Sequence, residues 1–387
     1  MKINKKREGV IQTKKVYVDA YINYNLGDDL FMTVLFQRYP NHFFYFRGNK
    51  KYKQAFRKHK NVLVIVNPLW KRIINALLYI IFLKLMKIES IRDYYLGRNI
   101  SVEKYDALVK IGGSIFIDED GNHFKKNSKM INSFLEKNKP VFILGCNFEK
   151  TYEESFYLAY KELFSTAQAD LLDVSFRDEY SYGLFSNSKN VRYSPDIIFG
   201  YENDELKSEN ENVYIGFSII DLSGRELLVE YRTAYEKKIR ELIIDCISNN
   251  ERVALFSFCS SEGDYNSINN ILEDIPDDYK AYIQTFNYST NINDFLKAYL
   301  KCKVIIATRF HAMILGWIYQ KKVIPIIYSE KMKNVIVDTK FKGKYFYIKD
   351  ILDMSYVDII DAYQFPDLVH IKSQAENHFL KLDYFLK

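Results

Sequence analysis

A cation, an aromatic ring and an imidazole stand in succession at Arg309, Phe310 and His311, inside the run KVIIATRFHAMILGWIYQKKVIPIIY over residues 303–328. The run reads as strand, tight turn, helix, strand, with Thr308 placed as the helix N-cap and the three residues in the first turn. Unpaired backbone N–H groups and the positive end of the helix dipole suit an anion there. The dipole is worth ~0.3–1 kcal/mol and each hydrogen bond to a charged group about 1.5–3 kcal/mol, so Arg309 would carry more of the binding than the helix. Helix starts favour Asp or Glu, and two potential cations conflict with that preference unless a ligand anion offsets them. In the alternative reading Arg309 pairs with a nearby carboxylate and His311 is merely hydrogen-bonded.

Three more turns fall where strands end. In LLDVSFRDEYS the strand over 171–176 delivers Arg177, which would face Arg309 across a cleft unless it forms an ordinary surface ion pair with Asp178. In YINYNLGDDLF a strand over 16–20 leads to Asn25, Gly27 and Asp28, with Gly27 permitting a tight turn and Asp28 either capping the next helix or touching substrate. In KIGGSIFIDEDGNHF the glycines Gly112 and Gly113 follow a strand over 107–111 and let a ligand approach the backbone, while His123 in the next loop could bond a sugar hydroxyl. Neither GxGxxG nor GxxxxGK[ST] occurs, which removes the main support for dinucleotide or P-loop binding.

The elements that must hold these turns alternate short β-branched runs with longer helical stretches, the pattern of parallel α/β sheets. Strands are expected over 16–20, 62–66, 107–111, 141–144 and 171–176, then over 213–219, 253–258, 282–284, 304–307 and 323–328. A polar, acidic stretch over 201–212 separates the two series. The fold class is therefore α/β with two Rossmann-like domains, over 1–203 and 204–362, and a C-terminal helix over 363–387 that could pack back on the first domain.

Composition narrows the partners. With 55 Lys+Arg against 49 Asp+Glu the net charge is +6, which suits anionic small molecules or an acidic membrane surface and does not demand nucleic acid. Four cysteines without a CxxC pair signal neither disulfides nor zinc, and a cytoplasmic location is expected. The apolar run IINALLYIIFLKLMKI over 73–88 is short for a bilayer, which needs about 20 apolar residues, and Lys84 interrupts it. It reads either as a buried helix or as one lying peripherally on the inner face of the membrane.

Taken in order, NxGD at Asn25 to Asp28, GGS at Gly112 to Ser114, SFRDEYS at Ser175 to Ser181, SPDIIF at Ser194 to Phe199 and TRFHA at Thr308 to Ala312 resemble the polysaccharide pyruvyl transferase family. Many relatives carry a third glycine where Ser114 stands, and Phe310 replaces a common Leu; neither change removes a charge. The resemblance implies a GT-B-like pair of domains facing a cleft and transfer of pyruvate from phosphoenolpyruvate to a sugar as a cyclic ketal. It puts Arg177, Arg309, Phe310 and His311 at the donor and leaves Asn25, Gly27, Asp28, Gly112, Gly113 and His123 for the acceptor, which could be lipid-linked.

A donor with a phosphate and a carboxylate on three carbons needs two cationic groups close together. The enol methylene must gain a proton as a sugar hydroxyl adds beside it, which gives His311 the role of that acid or of proton donor to the phosphate, with Arg177 and Arg309 stabilising the anionic groups as charge shifts; Asp28 could deprotonate the hydroxyl. No cofactor and no metal is expected, the arginines supplying positive charge and the six histidines forming no ligand-spaced cluster. The competing expectations are a nucleotide-sugar glycosyltransferase, for which Glu330 and Asp338 offer a superficial E-x7-D spacing, and a non-catalytic membrane-associated scaffold.

Overall fold

The computed structural model describes residues 12–66, 100–117, 123–148, 153–206, 212–365 and 368–387. The apolar run over 73–88 lies outside the described residues.

The first sheet holds β1 (Lys15–Ala20), β2 (Phe43–Arg47), β3 (Val62–Ile65), β4 (Ala107–Ile111), β5 (Val141–Cys146), β6 (Leu172–Phe176) and β7 (Val191–Tyr193), in the order β3-β2-β1-β4-β5-β6-β7 and parallel throughout. The second holds β8 (Tyr214–Ile219), β9 (Arg252–Ser257), β10 (Ile283–Asn287), β11 (Cys302–Ala307), β12 (Lys322–Ile327) and β13 (Phe346–Tyr347), in the order β10-β9-β8-β11-β12-β13, with β14 (Tyr363–Gln364) antiparallel to β12. Both orders reverse direction beside their first strand, at β1/β4 and at β8/β11, and such switch points are where α/β sheets open a crevice at their carboxyl ends. The protein is thus an α/β chain of two Rossmann-like lobes with a GT-B-like arrangement.

Central strands are buried on both faces, as parallel strands covered by helices must be. Lys110 in β4 tolerates burial through an ion pair with Asp19 of the neighbouring β1. Pairing brings in strands that the sequence pattern misses. β2 is an aromatic run, FFYFR, with no β-branched residue, and it forms between β1 and β3; β7, three residues long, is too short to show a period.

The lobes share core. One apolar cluster contains Leu30 and Phe31 from the first half together with Phe258, Phe295 and Met313 from the second. Backbone joins them as well, since Leu26 N–H donates to the Phe258 carbonyl (3.1 Å) and Asn25 bridges Cys259. The acidic stretch after Tyr201 is held from both sides: Glu205 accepts from Lys58 (2.6 Å) and from Asn293 (2.8 Å).

The C-terminal segment lies against the first sheet. Asp383 accepts from Arg38 Nη2 (2.8 Å) and from the Tyr39 hydroxyl (2.8 Å), and Arg192 Nε donates to the Asn377 carbonyl (3.0 Å). His378 is fully buried there. Its Nε2 lies 2.7 Å from the Pro195 carbonyl and so carries the proton, which leaves Nδ1 to accept from the Ser175 hydroxyl at 2.5 Å. Burial, helped by Arg192, pushes its pKa down to about 3. A folded pKa below the unfolded value of about 6.5 means that the unfolded chain binds the extra proton. His378 should therefore cost stability progressively as pH falls from about 6.5 towards 3, approaching ~1.4 kcal/mol per pH unit. Urea unfolding at pH 7 and pH 5 should show a steeper loss in the native chain than in His378→Asn; equal losses would place the pH sensitivity elsewhere.

Candidate active site

The cleft between the two sheet edges has a volume of about 1510 Å³ and is lined by Asn25, Asp28, Gly113, Asn147, Arg177, Arg309, Phe310, His311 and Lys331 among others. Each of these follows a strand end or opens a helix, so parallel pairing aims them at one place.

Arg177 follows β6 and is 3% exposed. Its Nη1 donates to Asp196 Oδ2 (3.0 Å) and its Nη2 to Asn147 Oδ1 (2.5 Å), and the guanidinium carbon sits 4.5 Å from the centre of the Phe310 ring. The adjacent Asp178 is not its surface partner: it caps the Glu179–Phe185 helix by accepting from Ser181 N–H (2.8 Å). Gly113 matters through Arg177, because a Cβ there would come within 2.2 Å of Nη2.

Two capping expectations are corrected. The helix after β11 is Phe310–Ile318, and Arg309, not Thr308, is its N-cap residue, without a side-chain cap bond. Thr308 is turned into the core, where its hydroxyl accepts from Tyr235 (3.1 Å), while Ser218 Oγ of β8 accepts the Arg309 N–H (2.9 Å) and fixes the turn. Likewise the helix Leu26–Arg38 is capped by Asn25, whose side chain accepts from Gly27 N–H (3.0 Å), so Asp28 lies inside the first turn with its carboxylate towards the cleft.

Arg309 bends back onto its own lobe. Nε donates to Asp264 Oδ2 (2.9 Å), Nη2 to Asp264 Oδ1, and Nη1 to Glu262 Oε2 (2.6 Å). All three guanidinium nitrogens are engaged with protein carboxylates, as in the pairing alternative read from the sequence, and the arrangement leaves Arg309 as a charged wall of the cleft. Glu262 also holds Arg225 Nη2 (2.6 Å), and the Arg309 guanidinium is the main force that, against burial, brings its carboxyl down to about 2.

His311 stands between the lobes. It meets the first lobe at Gly27, where a Cβ would fall 1.6 Å from Nδ1, and edges against Phe31 and Phe310. Its Nε2 is buried, makes no hydrogen bond among the described residues, and lies 3.9 Å from Asp196 Oδ2. Burial first, then Arg177, Lys331 and Arg309, hold the imidazole well below its ordinary pKa, so it is neutral in the free protein. Asp28 is displaced the other way: burial lifts its carboxyl to about 7, against the pull of Lys331 and Arg177. The two groups, displaced in opposite directions by burial, therefore share one field of cations.

Gly112 keeps its place beside this pair through a positive φ of 140°, with a Cβ position 3.5 Å from Asp28 Oδ1. His123 opens the helix His123–Leu135, away from the loop assignment; its side chain lies outside the described residues. Asp338 accepts from Glu179 N–H (3.3 Å) across the cleft through Oδ2. Sequence reasoning gave no role to Asp196, Asn147, Glu262, Asp264 or Lys331. Asp196 was within reach, being the polar residue of SPDIIF and the cap of the Ile197–Gly200 turn; the others are visible only once the strands are paired. Among the described residues no group of His, Cys, Asp and Glu is placed to hold a metal ion, and no helix is long and apolar enough to cross a membrane.

Gly27 offers a clean test of this geometry, because alanine in a helix is otherwise favoured over glycine by about 1 kcal/mol. Gly27→Ala should leave the fold intact by circular dichroism and expel the His311 ring from its slot. The imidazole NMR signal assigned by its absence in His311→Gln should then titrate closer to 6.5 than in the native chain. An unmoved titration would mean that the ring does not depend on Gly27.

Several solved structures share the architecture. S. aureus MnaA bound to UDP aligns with a TM-score of 0.56 at 12% identity, over 97% of this chain and 95% of that one. The UDP-GlcNAc 2-epimerase of Methanocaldococcus jannaschii gives 0.52 at 11% identity, over 96% and 100%. Anabaena HepE with UDP and glucose gives 0.51 at 9% identity, over 96% and 97%. Identities this low speak for the fold alone. Curated proteins give no match. The family model for polysaccharide pyruvyl transferase matches residues 25–330, spanning both lobes and the cleft turns from Asn25 to His311, and the chain belongs to that family.

Proposed function

We propose that the protein transfers pyruvate from phosphoenolpyruvate to a sugar of a cell-surface polysaccharide or its precursor, closing a pyruvate ketal. The observation that carries this reading is the cross-lobe cluster in which Arg177, braced by Asn147 and Asp196, stacks on Phe310 beside a His311 whose Nε2 has no hydrogen-bond partner among the described residues. Guanidinium and imidazole, already fixed by the protein, need no reorganisation to receive a small polyanion, which is how preorganised sites gain most.

The chemistry balances with the groups present. One sugar hydroxyl adds to the central carbon while the methylene gains a proton, phosphate departs with its bonding electrons, and a second hydroxyl of the same sugar closes the ring. Of the two hydroxyl protons one ends on the methyl group and the other on phosphate or solvent. Burial is the main cause of His311's neutrality, and an arriving anion offsets the repulsion from Arg177, Lys331 and Arg309 that adds to it, so the donor raises the pKa of its own acid. Asp28, near 7, is half ionised at neutral pH and suited to accept a hydroxyl proton. We assign the donor to Arg177, Phe310 and His311, with Arg309 shaping the wall, and the acceptor to the Asn25, Gly112 and Gly113 side, where the cleft has room beyond a three-carbon donor.

The four cysteines, all buried and unpaired, suit a reducing cytoplasm. A lipid-linked acceptor would bring the enzyme to the inner face of the membrane.

Phosphoenolpyruvate should raise the thermal midpoint, whereas a rise with a UDP-, GDP- or CMP-sugar alone would favour glycosyl transfer. With an acceptor sugar present, His311→Gln should lower phosphate release from phosphoenolpyruvate by about 100- to 10,000-fold. Undiminished release would remove His311 from the chemistry.

A further inference from the structure

Strands buried on both faces of a parallel sheet are ordinarily near-continuous apolar runs, and β6 departs from that. Leu172, Val174 and Phe176 enter an apolar cluster, while Asp173 and Ser175 alternate with them, in line with Arg177 just beyond the strand. All three polar residues are buried. The C-terminal segment answers the first two. Arg192 of β7 pairs with Asp173 and donates to the Asn377 (3.0 Å) and His378 (2.5 Å) carbonyls, and the His378 ring meets the Ser175 hydroxyl.

The same imidazole reaches a second turn. Its Nδ1 accepts from Ser175, two residues before Arg177, and its Nε2 donates to the Pro195 carbonyl, one residue before Asp196. Strand pairing does not extend that far. The β6–β7 register runs through Val174–Val191 and Ser175–Arg192 and ends at Phe176–Tyr193. Beyond it Ser194 N–H donates to the Phe176 carbonyl (2.9 Å), and the Ser194 hydroxyl donates to the Gln374 carbonyl (3.0 Å), again in the C-terminal segment. Past the end of the ladder Arg177 and Asp196 still meet at 3.0 Å, with Asp196 Oδ2 3.9 Å from His311 Nε2.

We propose that His378 is a positioning residue: by holding Ser175 and Pro195 at one spacing, it sets the two turns that carry Arg177 and Asp196 into the cleft. The consequence for the donor rests on the assignment above. His378 does not line the cleft, so it acts only through these turns. A neutral imidazole offers one acceptor and one donor on a rigid ring, which matches a hydroxyl on one strand and a carbonyl beyond the next. Arg177 has little room to absorb an error in that spacing. Two of its nitrogens are committed to Asp196 and Asn147, and its guanidinium fits over Gly113 only because no Cβ stands there.

The test uses the full chain, His378→Phe, His378→Gln and Ser175→Ala, with phosphoenolpyruvate as the calorimetric probe. Phe keeps the ring and removes both hydrogen bonds. A displaced Arg177 loses a charged hydrogen bond to the donor, so affinity should fall roughly 10- to 150-fold in His378→Phe and about 2- to 10-fold in Ser175→Ala, which keeps the Pro195 arm. Gln offers an amide donor and acceptor and should recover most of the loss. A merely structural role would lower the fraction of competent sites and leave the affinity of the remainder unchanged. Hydrogen exchange supplies a readout without the donor: the Arg177 N–H, bonded to the Cys146 carbonyl, and the Ser194 N–H should exchange faster in His378→Phe, while those of β11 keep their native rates. Native affinity in both His378→Phe and Ser175→Ala, or a loss of sites alone, overturns the proposal and leaves the pyruvyl reading standing. If the native chain binds no phosphoenolpyruvate, the pyruvyl reading falls and exchange decides: faster exchange at Arg177 and Ser194 keeps the positioning role, and native rates there remove it.

Discussion

A guanidinium withdrawn from water must be matched, and the match that Arg177 finds organises the whole cleft. Desolvating an ion costs several kcal/mol even after relaxation, and removal of one partner from a buried pair typically costs about 3–5 kcal/mol. Arg177 meets this with Asp196, Asn147 and the face of Phe310, drawn from three separate strand-end turns, the last of them in the other lobe. None of these contacts is available before β5, β6 and β11 have found their neighbours. The ion pair is therefore a product of the first lobe's fold, and it holds the guanidinium where it meets Phe310 of the other lobe.

Electrostatic frustration follows from that choice. Arg177 from one lobe and Arg225, Arg309 and Lys331 from the other crowd the cleft, and the carboxylates that answer them, Asp196, Glu262 and Asp264, leave Lys331 without an ion pair among the described residues. Burial alone pushes His311 towards neutrality and Asp28 towards protonation; the surplus cation adds to the first shift and opposes the second. A bound anion changes the sign of the surplus. Proton affinity at the two candidate acid–base groups thus becomes coupled to occupancy of the proposed donor site, with no conformational change needed.

The architecture was legible because alternation of short β-branched runs with helices survives in most strands, and the charged turns were legible because they sit at strand ends. What periodicity could not supply is visible in particular residues. Phe43 to Arg47 became a strand through pairing with β1 and β3, and Asn25 and Arg309 took capping positions expected for Asp28 and Thr308. Gly27 was read as permitting a tight turn and Gly113 as letting a ligand approach; each admits a protein side chain, His311 and Arg177 respectively. A glycine signals a close approach without saying what approaches. Lys331 carried no sequence signal at all, since its significance is the absence of a counter-ion within the paired fold.

The floor of the cleft leaves little freedom to the lobes. Asn25 bridges Cys259, the Tyr288 hydroxyl donates to buried Asp29 (2.5 Å), and Ser261 Oγ donates to the Asn23 carbonyl (2.6 Å), all beside a shared apolar cluster. On the far side Asn334 reaches Asp178 at 3.5 Å and Asp338 takes the Glu179 N–H. Contacts on two sides of the same opening resist the wide hinge motions available to lobes that meet only through a linker. Selection among the proposed acceptors would then fall to the rim, where Tyr21, Arg225, Leu227 and Tyr231 line the opening and Leu227 is 79% exposed. Apolar and aromatic groups at the mouth of a cationic pocket offer stacking to a sugar ring and burial to whatever apolar group it is linked to, while the fixed floor holds the chemistry unchanged. A rim of this kind can be altered residue by residue without disturbing Arg177 or His311, because none of its four side chains contributes to the bonds that fix them.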